Sequence, residues 1–274
     1  MRLGKISILF ISLSFLASEV YEGYMLYTPG GGGGSNTTYL KDWEENTINT
    51  WSHTNGPASM PYLLPSPHGG IENSLLYYPC RSNNPSMDSG GVGGKVVIYN
   101  WDGDALYTYN IDSNDYNHHH DIAVLPNGNF IVIAWERLYS NEWQALGRQS
   151  VNNNLNQMWM TAFFEIQPTL DGRTESIDNF DAVVWEWHIK DHLIQDVAPQ
   201  LDNYGMISEH PELFDINCGA AGSNGGPGGQ SNGDWIHVNA IDYNAELDQL
   251  VFSSRFQGEI FIIDHSTTSE QAAS

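Results

Sequence analysis

Basic residues are scarce. The 274-residue chain carries 10 Lys and Arg against 33 Asp and Glu, a net charge of −23 with His neutral. A charge of that sign repels nucleic-acid backbones and anionic membranes, so polyanion binding is excluded as its main work. A small anion can be held only where the few Arg, Lys and His side chains gather against the overall field. Cysteine is nearly absent too, with only Cys80 and Cys218. Neither sits in a CxxC-like cluster, so thiol redox chemistry and a zinc ribbon have no motif to rest on, and the sequence leaves open whether the two pair. Long apolar runs are missing as well. The longest, residues 6–17, is too short for an ordinary membrane span. It follows Arg2 and Lys5 and ends in the small residues Ala17 and Ser18. That outline predicts a signal peptide over residues 1–18 and a mature chain 19–274, periplasmic or secreted and free of the membrane after cleavage.

What is abundant points to strands. The 14 Tyr, 10 Phe and 9 Trp accompany 27 Gly and 12 Pro, the mix of many short strands joined by tight turns. A strand-turn-strand unit recurs three times. Its copies run from residues 60–65 (MPYLLP) to 74–81 (SLLYYPCR), over 120–136 (HDIAVLPNGNFIVIAWE), and from 237–242 (HVNAID) to 250–255 (LVFSSR). A second pair of strand-like runs follows each copy: 95–100 with 105–111, 158–167 with 182–189, and 259–264, where only the first member is present. Asp102 with Gly103 and Asp171 with Gly172 supply turn chemistry for the first two pairs. Four antiparallel strands per repeat is the blade of a β-propeller, so the expected class is all-β and the expected architecture a partial propeller of about two and a half blades. Closed propellers need about four to eight blades, and the chain is therefore expected to be the truncated N-terminal portion of one.

The insertions at 192–215 and 219–233 do not read as strands. The Gly, Ser and Asn run of 219–233 lacks the Lys and the following helix of a phosphate loop, and is expected as a loop beside a functional face. The run 30–34 reads as a surface turn. Trp185 and Trp187 alternate on one strand and are expected to pack within a blade.

Residues that open the first strand of a blade project towards one mouth of the central channel. By the repeat, His120 and His237 hold equivalent positions, and antiparallel pairing returns Arg255 beside His237. An Arg fork and two imidazoles suit a tetrahedral oxyanion, the Arg by bonding two oxygens at once and the imidazoles by donating hydrogen bonds or moving protons near neutral pH. Asp121 and Asn239 are expected to orient the imidazoles. The run His118, His119, His120, Asp121 also admits a metal-site reading, in which alternation places His118 and His120 on one face and His119 on the other. Asp102, Asp104, Asp112 and Asp115 lack the EF-hand pattern and read as solvated surface.

Several of these segments together resemble the bacterial arylsulfotransferases. They are His119, His120 and Asp121 followed by residues 125–129 (LPNGN), the strand with Trp185, Glu186 and Trp187, residues 234–240 (DWIHVNA), and residues 253–255 (SSR). The resemblance implies a six-bladed propeller that moves a sulfuryl group from a phenolic sulfate ester to a phenol acceptor, without a nucleotide donor or any cofactor. It makes His120, His237 and Arg255 catalytic and places His119 and Asn239 at the substrate. It also implies a transient sulfohistidine on a later blade, beyond these residues, since His265 lacks the expected context. Two rivals remain at the level of sequence: a noncatalytic propeller that binds a sulfated ligand or a partner protein, and a metal-dependent hydrolase built on the His cluster.

Overall fold

The computed structural model describes residues 22–30, 36–225 and 229–273. The predicted signal peptide of 1–18 and residues 31–34 of the predicted surface turn lie outside them. Strands dominate and helices are brief, which makes the protein all-β. Among the described residues no helix is long and apolar enough to cross a membrane.

Strands β1 (Tyr24–Tyr27), β2 (Thr37–Asp42) and β3 (Thr47–Ser52) form an antiparallel three-stranded sheet. The next sheet is a meander of β4 (Tyr62–Leu64), β5 (Leu75–Arg81), β6 (Gly94–Tyr99) and β7 (Ala105–Asn110). A third follows with β8 (Tyr116–Val124), β9 (Phe130–Leu138), the helix α1 (Ser140–Ala145) and β10 (Met158–Ile166). The chain then makes β11 (Thr174–Ser176), which pairs in parallel with β7 of the preceding sheet, before β12 (Val183–His188) completes the third sheet beside β10. The pair β13 (Leu193–Ile194) and β14 (Phe214–Asp215) punctuates the long insertion. Finally β15 (Val238–Asn244), β16 (Gln249–Ser254) and β17 (Glu259–Asp264) form a three-stranded antiparallel sheet, followed by α2 (Ser269–Ala272).

The repeated meanders of the sequence are therefore present, with two additions. Residues 24–52 form a sheet that the repeat did not announce, and the four-stranded unit of β4 to β7 gains β11 as a fifth, parallel strand. Among the described residues no sheet closes on itself.

The period-two alternation of β9 explains how the sheets stack. Phe130, Val132 and Ala134 face the β4–β7 sheet, packing with Tyr77, Ile98, Tyr107 and Tyr109. Ile131 and Ile133 face the other way, into a core shared with Phe163, Trp185, Trp187, Leu250 and Phe252. Both faces of the β8–β12 sheet are thus buried, which is why its strands read as nearly continuous apolar runs. Trp185 and Trp187 are packing residues, as their alternation predicts, and Trp185 also donates its indole N–H to the Thr267 carbonyl at 3.0 Å. Each large side chain so buried contributes about 1.5–3 kcal/mol from removal of apolar area from water.

The stacking sets β8 against β15. Their ends carry the histidines singled out by sequence.

Candidate functional site

Both strands depart from regular pairing where the histidines sit. On β8, His118 pairs with Ala134 and Ile122 with Val132, so residues 119–121 stand opposite Ile133 alone. His120 adopts φ 55° in this bulge. On β15 the pairing steps from Val238 opposite Ser254 to Ala240 opposite Ser253, leaving Asn239 extra, and His237 just before it has φ 52°. Left-handed backbone is uncommon for non-glycine residues and gathers at functional sites. The two equivalent histidines share it, and bulges of this kind re-aim side chains.

The bulge overturns the expected alternation. His119 and His120 do not face opposite ways; their Nδ1 atoms are 3.1 Å apart, with ring centroids at 5.4 Å. His118 instead turns towards the segment 89–94 (SGGVGG), where its Nδ1 lies 3.4 Å from the Gly94 nitrogen. That segment carries the histidine run. The His120 nitrogen donates to the Gly91 carbonyl at 2.7 Å, and the Gly93 nitrogen to the His118 carbonyl at 2.9 Å. A Cβ at Gly91 would overlap the His120 ring, and one at Gly93 the His118 ring, so the glycines are there for close approach. No motif or period in the sequence marks this segment.

The His237 ring is held by Asp234. Its Nδ1 contacts one carboxylate oxygen, and the other accepts the Trp135 indole N–H at 3.1 Å. Asp234 itself is pinned where its segment bridges to Trp159. The residues expected to orient the imidazoles are committed elsewhere. Asp121 accepts from Tyr62 Oη at 2.6 Å and Ser59 Oγ at 3.1 Å, and Asn239 is exposed and accepts from Ser253 Oγ at 2.8 Å. Asp234 was quoted within a motif, but nothing in a linear reading singled it out as the partner of His237. An acid three residues before the histidine was the available signal.

The rings of His120 and His237 meet edge to face at 4.7 Å. The Arg255 nitrogen donates to the His237 carbonyl at 3.2 Å, which is the antiparallel return predicted for it. Its guanidinium lies 5.4 Å from the centre of the Phe256 ring, which in turn lies 5.0 Å from His237. Asp234, His237, Arg255 and Phe256 line a cavity of about 340 Å³. Ser89 and Gly90 line it too, as do Gly219, Gly222, Ser223 and Asn232, so the Gly, Ser and Asn run does border the site. His120, Asn239 and the buried His119 are not among the lining residues, and His120 reaches the site through its ring contact with His237.

Burial sets the charge of the histidine run. It pushes His120 down to about 4, helped by His237 and Arg255 and opposed by Asp234. It pushes His118 to about 3, and His119 well below the usual imidazole range. At neutral pH these three rings are uncharged, and Arg255 is the fixed positive charge of the cavity wall. Nε2 of both His120 and His237 has no hydrogen-bond partner among the described residues and is not sealed from solvent. Two open imidazole edges and an arginine can surround the oxygens of a small anion.

Among the described residues no group of three His, Cys, Asp or Glu side chains is arranged to hold a metal ion. Cys80 is buried and Cys218 exposed, and both are free thiols. His265 lies away from the cavity, bound through Nδ1 to Asp248 at 2.7 Å and through Nε2 to Glu165 at 2.9 Å.

Residues 168–270 match the protein-family model described as Arylsulfotransferase (ASST). The matched span contains Asp234, His237 and Arg255 and stops short of the His118 to Asp121 run. No curated protein matches the chain.

Proposed function

Starting from the arylsulfotransferase assignment that residues 168–270 support, we propose that the cavity binds the sulfate group of a phenolic sulfate ester and takes part in its transfer to a phenol acceptor. The observation that carries this reading is Arg255 beside His237 in the cavity wall, with the His120 ring edge-on at 4.7 Å. Arg255 bonds two sulfate oxygens and offsets their charge. His120 is neutral and serves as a hydrogen-bond donor. Asp234 keeps the proton of His237 on Nδ1, so that Nε2 is the position at which a proton is taken up or released.

The repeated meanders, with β8 and β15 against one another and their bulged ends at a common site, support a propeller with the site at one mouth of its channel. In the two-step route, a histidine nitrogen attacks sulfur and the phenolic oxygen leaves. The acceptor oxygen then attacks the sulfohistidine and restores the imidazole. His237 and His120 support this exchange, and the carrier is a further histidine from a later blade. His265 is not it, since both its nitrogens are engaged by carboxylates. Sulfuryl transfer without a nucleotide, outside the cytoplasm, completes the reading.

Titration of the protein with 4-nitrophenyl sulfate tests the site directly. Saturable binding that weakens at least about tenfold in Arg255→Ala is expected, since a charge-assisted hydrogen bond contributes about 1.5–3 kcal/mol. Unchanged affinity in a His237→Ala, Arg255→Ala double variant overturns the assignment. Incubation of a full-length version that carries the later-blade histidine with the same ester and phenol then separates the classes: sulfated phenol marks a transferase, and binding without transfer favours a noncatalytic sulfate-binding propeller.

A further inference from the structure

His119 is fully buried, does not line the cavity, and has no part in the chemistry described so far. Its surroundings nevertheless define one proton. Nδ1 of His119 and Nδ1 of His120 are 3.1 Å apart. Two uncharged imidazoles at that distance share a single hydrogen, one ring donating and the other accepting, so the contact fixes both tautomers together. The remaining nitrogen of His119 identifies the donor. Its Nε2 is buried with no partner. With the proton on Nε2, a polar N–H would be entombed unpaired; with the proton on Nδ1, only a lone pair is left over, which is the smaller cost.

The His119 face is stacked on the Trp135 indole at 4.2 Å and 7°, which fixes the plane of the ring. Trp135 is in turn fixed by its hydrogen bond to Asp234, so one indole props both histidines of the site.

We infer that His119 is a positioning residue that donates Nδ1–H to Nδ1 of His120 and so holds His120 in its Nε2–H tautomer. His120 and His237, which meet edge to face, then differ in kind. Asp234 fixes the Nδ1–H form of His237, which leaves Nε2 free to accept a proton. His119 fixes the opposite tautomer in His120, whose Nε2 becomes a permanent neutral donor. Burial keeps both members of the His119–His120 pair uncharged at neutral pH, in agreement with this assignment. The use of that donor towards sulfate oxygens rests on the function proposed above; the tautomer itself does not.

Nitrogen NMR of the full chain, labelled with ¹⁵N in its imidazoles, reads this assignment directly. The expected spectrum shows a protonated Nδ1 on His119, coupled across the hydrogen bond to an unprotonated Nδ1 on His120, and a protonated Nε2 on His120 from about pH 5.5 to 8. A proton on Nε2 of His119 or on Nδ1 of His120 overturns the proposal, and the unmodified protein suffices for that decision. His119→Phe keeps the stacking on Trp135 and removes the donor. In it the His120 signals are expected to average between tautomers while those of His237 stay in place. His119→Asn, which restores a donor near the same point, is expected to bring back the Nε2–H form. His120 signals that ignore His119→Phe overturn the positioning role. Sulfate added to the same sample tests the other reading separately: His120 and His237 signals that do not move count against anion binding and leave the tautomer assignment standing.

Discussion

At the scale of single residues, the site depends on contacts that have no counterpart in spacing. Gly91 has φ 82°, and its missing Cβ is the space occupied by the His120 ring. Gly91→Ala is therefore expected to displace His120 and to weaken sulfate binding at least about tenfold, on the scale of one hydrogen bond to a charged group. Isothermal titration with a sulfate ester measures it, and a fully retained affinity would mean that His120 does not touch the anion. Asp234→Asn keeps the shape of the clamp but offers an amide N–H to His237 Nδ1, which favours the wrong tautomer. By the scale of such swaps elsewhere, a loss of about 10⁴-fold in turnover is expected, read as kcat in a phenol-acceptor assay of a full-length version that carries the later-blade histidine, with the melting temperature as control. His120, His237 and Arg255 were legible because a repeat displays equivalent positions. Asp234, Trp135 and Gly91 were not, because bulges at 119–121 and 239 decide who meets whom, and a bulge breaks the alternation on which a linear reading relies.

At the scale of elements, the apolar contact between the third sheet and the last is supplemented by a polar link through His265. It joins Glu165 at the end of β10 to Asp248 in the β15–β16 turn, and Asn129 from the β8–β9 turn donates to the same Glu165 at 2.5 Å. Glu165 is only 6% exposed, so removing its histidine leaves a carboxylate buried with one neutral partner. His265→Ala is expected to cost about 1.5–3 kcal/mol, measured as a lower urea midpoint with an unchanged slope. A loss below about 0.5 kcal/mol would show the link to be a surface ion pair in effect. The meanders themselves were readable, because Asp102 with Gly103 marks a hairpin turn and the intervening runs are apolar and β-branched or aromatic, whereas Asp171 with Gly172 leads into β11 rather than turning directly from β10 to β12. Strand β11 was not. Its pairing joins Thr174 to Thr108 across more than sixty residues, and three residues of mixed polarity carry no period. The β1–β3 sheet was missed for a related reason: its strands alternate weakly, with exposed Tyr24, Met25 and Ile48.

At the scale of the whole molecule, the buried histidines make stability depend on pH in a definite direction. Burial lowers His53 and His120 to about 4 and His118 to about 3, and lowers His119 and His192 as well. In the unfolded chain these groups titrate near 6.5, so between there and about 4 the unfolded state binds more protons. Stability falls as pH falls through that window, by about 1.4 kcal/mol per pH unit for each group fully within it. His188 and His265 oppose the trend. Contacts with Glu136 and Glu165 outweigh burial and raise them, so their stabilisation is complete below 6.5 and is lost as pH rises through their folded values. The lowered group is the larger. The carboxylate excess behind the charge of −23 gives no relief in this range, because ordinary Asp and Glu stay ionised until nearer pH 4. Glu136 and Glu165 are themselves lowered, so their contribution is present above the usual carboxylate value and adds to the loss only below it. Urea midpoints at pH 7.5, 6.0 and 5.0 are expected to fall monotonically, with most of the loss between 6.0 and 5.0. A midpoint that holds steady or rises over that interval would mean that the His118 to His120 run takes up protons within the fold, and the neutral donor assigned to His120 would fall with it.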